Sequence, residues 1–320
     1  MRVVIDSGIP FLQGVLEPFA QVAYLSPEMI TADAVRDADA LFIRTRTRID
    51  KELLSGSRVR FVATATIGYD HIDAAYCQAA GVRWVSCPGC NAQAVCDYVE
   101  EAIATLNCGK PGGGFTVGVV GYGHVGKRVA EMAERKGWRV LLSDPPLGIG
   151  MSLQEMAPQC DVLTFHTPLT RDGEYPTYHL CNAEILRLCK PGALIINAAR
   201  GGVIDEQALL TTLNTQHSTL NYKIAIDCWE GEPALNTELL KRVDLASFHI
   251  AGYSIQGKMN ASEMCLQAFC EFFSLPILSI NKKAVPLQGD SDSGWLQRIS
   301  EQLKAQPEEF EQLRKNYPLR

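Results

Sequence analysis

The sequence predicts an α/β protein built from two doubly wound parallel sheets with a cleft between them, followed by a small C-terminal extension. Three observations predict it. Short β-type runs alternate with helical patterns almost from end to end, as parallel strands joined by crossover helices require. The alternation pauses once, at a longer helical pattern and a Gly-rich turn, and then restarts. A chain of 320 residues is also too long for one ordinary core.

Taken in order, RVVID, QVAYL, DALFIR, RFVATAT and VRWVSC read as the strands of the first sheet. Between them FLQGVLEPFA, ITADAVRDA and HIDAAYCQAAG carry helical spacing. A longer helix then opens at Asn91, a good N-cap residue, with Val95, Val99, Ile103 and Leu106 along one face. It ends in NCGKPGGG, whose Gly-Lys pair lacks the remainder of a nucleotide P-loop. The second sheet follows as TVGVV, RVLLSD, DVLTFHT, ALIINAA, KIAIDCW and LASFHI, separated by helical stretches such as VGKRVAEMAERKG and NAEILRLCK. The helical NASEMCLQAFCEFF can return the chain to the first domain, and the polar remainder forms the extension. The expected domains are therefore 1–92 with 253–280, 93–252, and 281–320.

Composition excludes several classes of function. With 47% hydrophobic and 21% charged residues and a net charge of −6, the chain has no basic field for nucleic acid or an anionic membrane. No apolar run approaches the roughly 18 residues of a membrane span, and MRVVID reads as a strand rather than a leader, so a cytoplasmic protein is expected. The eleven cysteines are scattered through apolar segments, as buried reduced thiols would be. Cys87 and Cys90 have C-x-x-C spacing, open to redox or half-zinc readings, but no second pair stands at zinc spacing; a strand end and a Pro-Gly turn into a helix accounts for them, and no metal is expected.

The chemistry begins at VVGYGHVGKRVAEM. Gly121, Gly123 and Gly126 form G-x-G-x-x-G after an apolar strand and at the opening of a helix, and a second strand ends in Asp144, eighteen residues after the last glycine. Gly121 allows the tight turn, Gly123 the approach of a pyrophosphate and Gly126 the packing of helix on strand, leaving the helix N-terminus to face the phosphates. Asp144 suits ribose hydroxyls and would repel a 2′-phosphate, which points to NAD rather than NADP. Asp144 could also be no more than a turn former before two prolines.

Three segments carry polar groups just after apolar runs, and so should place them at the carboxyl ends of their strands, where ligands of parallel sheets bind. They are INAARGGVIDE with Arg200, IDCWEGEPALN with Asp227 and Glu232, and FHIAGYS with His249. A histidine titrating near neutrality can take a hydroxyl proton, a carboxylate can orient it, and an arginine can hold a substrate carboxylate and polarise a forming carbonyl. A lone strand-end histidine would be bland; this set makes His249 a candidate base. Glu230 competes with Glu232, and His166 ends another strand. His71, His124, His179 and His217 are expected on the solvated surface. Arg44, Arg46 and Arg48 alternate in IRTRTRID, and would share one face if the strand persists, as a dianionic phosphate would favour.

With these motifs, together with CPGCN, FHTPLTRDGEYPTYHL and HIAGYS, the sequence resembles the D-2-hydroxyacid dehydrogenase family over nearly its whole length. The resemblance implies a flavodoxin-like substrate domain, an NAD-binding Rossmann domain and a homodimer acting on a small phosphorylated 2-hydroxy acid. It implies catalysis by Arg200, Glu232 and His249. It assigns the cofactor to Gly121, Gly123, His124, Val125, Gly126, Asp144, Thr167, Ala198, Ala199, Arg200, Asp227 and Gly252, and the substrate to Arg44, Thr45, Thr66, Gly68 and Tyr253. The family usually has serine where Thr45 stands, which keeps the hydroxyl. Other 2-hydroxy acids, such as 3-phosphoglycerate or hydroxypyruvate, and a non-catalytic role in sensing NAD, are compatible with the same fold.

Overall fold

The computed structural model describes the backbone of residues 1–106, 114–282 and 294–318, and their side chains except at 216–219. The Gly-rich turn expected after the long helix, part of the expected extension and the His217 side chain lie outside the described residues. The chain divides into two compact units, 1–91 with 253–282 and 92–252 with 294–318.

In the first unit, β1 (Arg2–Asp6), β2 (Gln21–Leu25), β3 (Ala40–Ile43), β4 (Phe61–Thr64) and β5 (Arg83–Val85) form one parallel sheet in the order β2-β1-β3-β4-β5, the flavodoxin-like order. The residues of β3 and β4 are all buried, which is why these strands read as continuous apolar runs. The intervening helices are short: α1 (Ala32–Val35), α2 (Lys51–Leu54) and α3 (Ala74–Ala79). Thr31, Asp50 and Asp73 each accept a first-turn N–H from their side chains, which fixes where these helices start. The long helix Ile255–Phe273 (α10 in chain order) closes the unit, setting Phe269 against Phe42 and Phe61 with ring centroids 5.3 and 5.9 Å apart.

Three expectations are corrected here. FLQGVLEPFA forms turns, because Phe11 and Gly14 adopt φ of 69° and 80°, which no right-handed helix accepts. Its apolar spacing reflects burial instead, since Phe11, Leu12 and Leu16 all reach the core. The strand carrying Arg44, Arg46 and Arg48 stops at Ile43, and Thr47 N–H bonds to the Arg44 carbonyl at 3.1 Å, so a turn replaces the alternation that would have aligned them. Asn91 does not cap the long helix, for its Oδ1 is buried without a hydrogen bond.

The second unit runs α4 (Ala92–Thr105), β6 (Thr116–Val120), α5 (His124–Arg135), β7 (Arg139–Asp144), β8 (Ile149–Gly150), α6 (Leu153–Met156), β9 (Val162–Phe165), α7 (Ala183–Leu188), β10 (Leu194–Asn197), α8 (Glu206–Leu220), β11 (Lys223–Ile226), α9 (Thr237–Arg242) and β12 (Leu245–Ala246). Its sheet order is β12-β11-β10-β9-β6-β7-β8, parallel except for the β7–β8 edge. The winding reverses between β6 and β9, so the loops leaving these two strands meet at the crevice where such sheets take their ligands. Helix α4 buries Val95, Val99 and Ile103, the stripe expected of it, with Leu106 half-buried.

Residues 294–318 are part of this unit rather than an appended arm. Helix α11 (Trp295–Ala305) buries Leu296, Ile299 and Leu303 at helical spacing, and Ser300 Oγ accepts the N–H of Ala246 at 2.9 Å. That bond satisfies a donor on the sheet's last strand that would otherwise lack a partner. Helix α12 (Phe310–Asn316) adds a buried Phe310. The ten described cysteines are free and buried, and no cluster of metal-ligating side chains occurs among the described residues. Cys87 to Cys90 is a turn closed by the Cys90 N–H to the Cys87 carbonyl (3.2 Å), and burial pushes the Cys90 thiol up to about 12. Among the described residues no helix is long and apolar enough to cross a membrane.

Candidate active site

The dinucleotide loop shows why its glycines are needed. Gly121 has φ 90°, and a Cβ there would lie 2.8 Å from the His166 backbone. A Cβ on Gly126 would lie 1.9 Å from the Gly121 carbonyl oxygen, so helix α5 can reach the loop only without one. At Gly123, the N-cap of α5, a Cβ would meet nothing: the backbone there borders open space at a helix N-terminus. His124 is exposed and Val125 half-buried in the first turn. Asp144 stands at the end of β7, and its Oδ2 accepts the Tyr122 N–H at 2.7 Å. It therefore also closes the loop, a role that sequence spacing did not reveal. Across the switch point, His166 Nδ1 and Thr167 Oγ1 are buried with no partner, while His166 Nε2 meets Thr164 Oγ1 at 3.0 Å. Burial pushes His166 down to about 3, so its ring is a neutral hydrogen-bonding group. Two orphaned polar atoms beside a glycine cradle fit a dinucleotide, which would supply their missing partners.

The second constellation is built around β10, β11 and β12. His249 follows β12 in the left-handed region, φ 59°, a conformation costing about 1 kcal/mol or more outside glycine. Asp227, at the end of β11, holds it there. The Asp227 carbonyl accepts the His249 N–H (2.9 Å), and the buried carboxylate accepts Ser247 Oγ–H (2.7 Å), Ile250 N–H (2.8 Å) and Ala251 N–H (3.0 Å). These bonds make the carboxylate the anchor of the histidine loop. Gly252, next along, is half-buried.

His249 Nδ1 lies 2.9 Å from Glu232 Oε2, and Glu232 Oε1 accepts the Trp229 N–H at 2.8 Å. Glu232 rather than Glu230 is thus the partner, because Glu230 is engaged by Tyr178 and His179. The histidine side chain is 31% exposed against 18% for the glutamate, so the ring reaches outward from a carboxylate fixed beneath it. With Nδ1–H donated to the carboxylate, Nε2 is the nitrogen that can take a proton.

Arg200 joins this pair through the backbone. Ala198 and Ala199 are buried, and Arg200 Nη1 donates to the Ala199 carbonyl at 2.8 Å. Asn197, buried at the end of β10, donates from Nδ2 to the carbonyls of Arg200 (3.0 Å) and Cys228 (3.1 Å) and accepts the Ala199 N–H (3.2 Å). A Cβ on Gly201 would lie 1.9 Å from the Trp229 carbonyl oxygen, so the two loops are in backbone contact. Asn197 was legible only as a polar residue ending an apolar strand.

In the first unit, Thr66 Oγ–H donates to the Gly68 carbonyl at 3.0 Å, and Thr64 Oγ1 links Thr66 (2.7 Å) to His71 (3.0 Å). His71 is accordingly half-buried, not solvated, and desolvation lowers its pKa. His179 is likewise half-buried among acids. Thr45 is exposed, and Tyr253 is half-buried with Lys258 Nζ 4.9 Å from its ring centre. Arg44 gives Nε and Nη2 to the buried carboxylate of Asp6, both at 2.9 Å, and its guanidinium packs against Gly8, where a Cβ would lie 2.0 Å from Nη2.

Residues 104–251 match the family model of the D-isomer specific 2-hydroxyacid dehydrogenase NAD binding domain. The chain belongs to the D-isomer specific 2-hydroxyacid dehydrogenases, and it is an NAD-dependent oxidoreductase. Its full-length relatives are more particular: erythronate-4-phosphate dehydrogenase of Bacteroides fragilis is 42% identical over 100% of this chain and 97% of its own length, and that of Escherichia coli 37% over 99% and 91%. Among solved structures, NAD+-bound 3-phosphoglycerate dehydrogenase of Entamoeba histolytica superposes with a TM-score of 0.72 at 25% identity, covering 86% of this chain and 95% of that one.

Proposed function

We propose that this enzyme oxidises 4-phospho-D-erythronate at C2 to (R)-3-hydroxy-2-oxo-4-phosphooxybutanoate, as a step of pyridoxal 5′-phosphate biosynthesis. The observation that carries the chemistry is the 2.9 Å contact of Glu232 Oε2 with His249 Nδ1 at the carboxyl ends of an NAD-binding sheet. The full-length likeness to erythronate-4-phosphate dehydrogenases supports the substrate. NAD, when bound, would supply the hydride acceptor for C2. The chain's part is to take the C2 hydroxyl proton at His249 Nε2 while Glu232 steadies the charge, and to hold the carboxylate and C2 oxygen at Arg200. Arg44, Thr45, Thr66, Gly68 and Tyr253 contact the substrate in this reading, and the enzyme is a cytoplasmic homodimer.

A panel of 2-hydroxy acids followed by NADH absorbance tests it. Turnover of 4-phosphoerythronate is expected, together with a loss of about 10²-fold or more in His249→Ala. Turnover of 3-phosphoglycerate or hydroxypyruvate without 4-phosphoerythronate would overturn the substrate. Intact turnover in His249→Ala would overturn the mechanism.

A further inference from the structure

Glu232 lies in a loop in which no residue from 230 to 236 is buried, a poor platform for a carboxylate that must meet a ring nitrogen. One end of that loop is anchored by buried Trp229, whose indole N–H donates to the Ser247 carbonyl at 2.8 Å. The next residue, Glu230, is gripped at three points. Its N–H donates to Glu206 Oε1 (2.6 Å), its carboxylate accepts the Tyr178 hydroxyl (2.9 Å), and the same carboxylate faces His179 Nε2 (3.0 Å). His179 itself stands between Glu230 and Asp205, with Nδ1 3.5 Å from Asp205 Oδ2, and stacks on Tyr178 with ring centroids 3.8 Å apart. The Arg171 guanidinium lies 3.7 Å over the Tyr178 ring. This gives FHTPLTRDGEYPTYHL a physical task. The reading of the acid–base pair leaves these side chains unassigned, yet they converge on the backbone two residues before Glu232.

We propose that Tyr178, His179 and Glu206 are positioning residues: by fixing Glu230 they fix the backbone from which Glu232 reaches His249. The inference rests on the reading of Glu232 and His249 as the acid–base pair. An off-target shift of about 1 Å in a reacting group can cost as much as a hundredfold in rate, so the grip has a kinetic consequence rather than a merely structural one.

The test uses the full-length enzyme in Glu206→Ala, Glu206→Gln, His179→Phe and Tyr178→Phe forms, each checked for folding by circular dichroism. In Glu206→Ala and His179→Phe, kcat should fall by about tenfold or more, with KM for the hydroxy acid and Kd for NADH held within about twofold of wild type. Glu206→Gln keeps an acceptor for the Glu230 N–H and should recover most of kcat. The Nδ1–H signal of His249, read by NMR on ¹⁵N-histidine-labelled enzyme, should broaden or move in the same two variants and return in Glu206→Gln. Unchanged kcat and an unchanged signal in folded variants would overturn the proposal, as would losses confined to KM. If Glu206→Ala fails to fold, Tyr178→Phe decides, since it removes a single hydroxyl. Should Glu232→Gln keep full turnover, the acid–base reading fails by itself; the His249 signal still reports whether the cluster sets the geometry.

Discussion

The loop after β6 is shaped by the absence of side chains, whereas the loops after β10, β11 and β12 are held in place by buried amides and carboxylates. At Gly121 and Gly126 a Cβ would strike backbone, while Gly123 borders open space. Asn197 and Asp227 serve because every polar atom they bring is used, on Ala199, Arg200 and Cys228 by one and on Ser247, Ile250 and Ala251 by the other. The difference teaches where each region is vulnerable: the first to added atoms, the second to lost charge.

The largest effect should come from filling the first region. Gly126→Ala sets a Cβ 1.9 Å from the Gly121 oxygen, and the loop or helix α5 must move. We expect NADH affinity, read by fluorescence titration, to fall by at least about 3 kcal/mol, more than a hundredfold. Gly123→Ala sharpens the point: its Cβ meets nothing in the fold, so thermal stability should hold while affinity drops. Equal losses of stability in the two variants would show that both glycines serve the fold alone. In the second region, Asp227→Asn keeps the shape and removes the charge that draws two N–H groups and a hydroxyl. Urea unfolding should register a loss of about 2 to 3 kcal/mol, and a wild-type midpoint would break the contrast.

The two regions were unequally legible in the sequence. G-x-G-x-x-G could be read because its constraint is local: three glycines, a strand before and a helix after. The same holds for the inner strands β3, β4, β6, β9 and β10, each an apolar run that the sheet buries on both faces. FLQGVLEPFA misled because burial alone set its spacing, and Phe11 adopts a positive φ that its residue type does not announce. Arg200, Glu232 and His249 could be named from motif and resemblance, but not their supports. Glu206 and Tyr178 reach Glu230, and Asn197 reaches Cys228, across gaps of tens of residues, and nothing near them in the chain marks that partner. The apparent extension at 294–318 misled for a related reason: its polar surface hides one apolar stripe that only β12 and its neighbours explain.

A smaller effect separates the two regions by pH. Burial raises the Glu206 carboxyl from its ordinary 4.5 to about 7, with Glu230 and Glu232 adding like charge and the Glu230 N–H opposing the rise. Below pH 4.5 both folded and unfolded chains hold the proton. Between 4.5 and 7 the unfolded chain releases it and the fold retains it, so stability falls as pH rises and levels off above 7. That slope amounts to roughly 2 kcal/mol, and Glu206→Gln, neutral throughout, should lose it. A variant whose urea midpoints kept the wild-type slope across this window would assign the titration elsewhere.

The smallest effect belongs to the one carboxylate that serves the glycine loop. Asp144 accepts the Tyr122 N–H at 2.7 Å, and we propose for it a second task, repelling a 2′-phosphate on the adenosine ribose. Asp144→Ser removes the charge and shortens the reach to Tyr122. Preference for NAD over NADP, read as the ratio of kcat/KM values, should shrink by about tenfold, or 1.4 kcal/mol. NAD affinity should also weaken slightly, because the loop loses its tie. Asp144→Asn separates the two tasks, since an amide oxygen can still accept the Tyr122 N–H while the charge is gone. If Asn restored affinity but not selectivity, the tie and the charge would be independent contributions; an unchanged NAD to NADP ratio in both variants would leave Asp144 as a brace of the loop and nothing more.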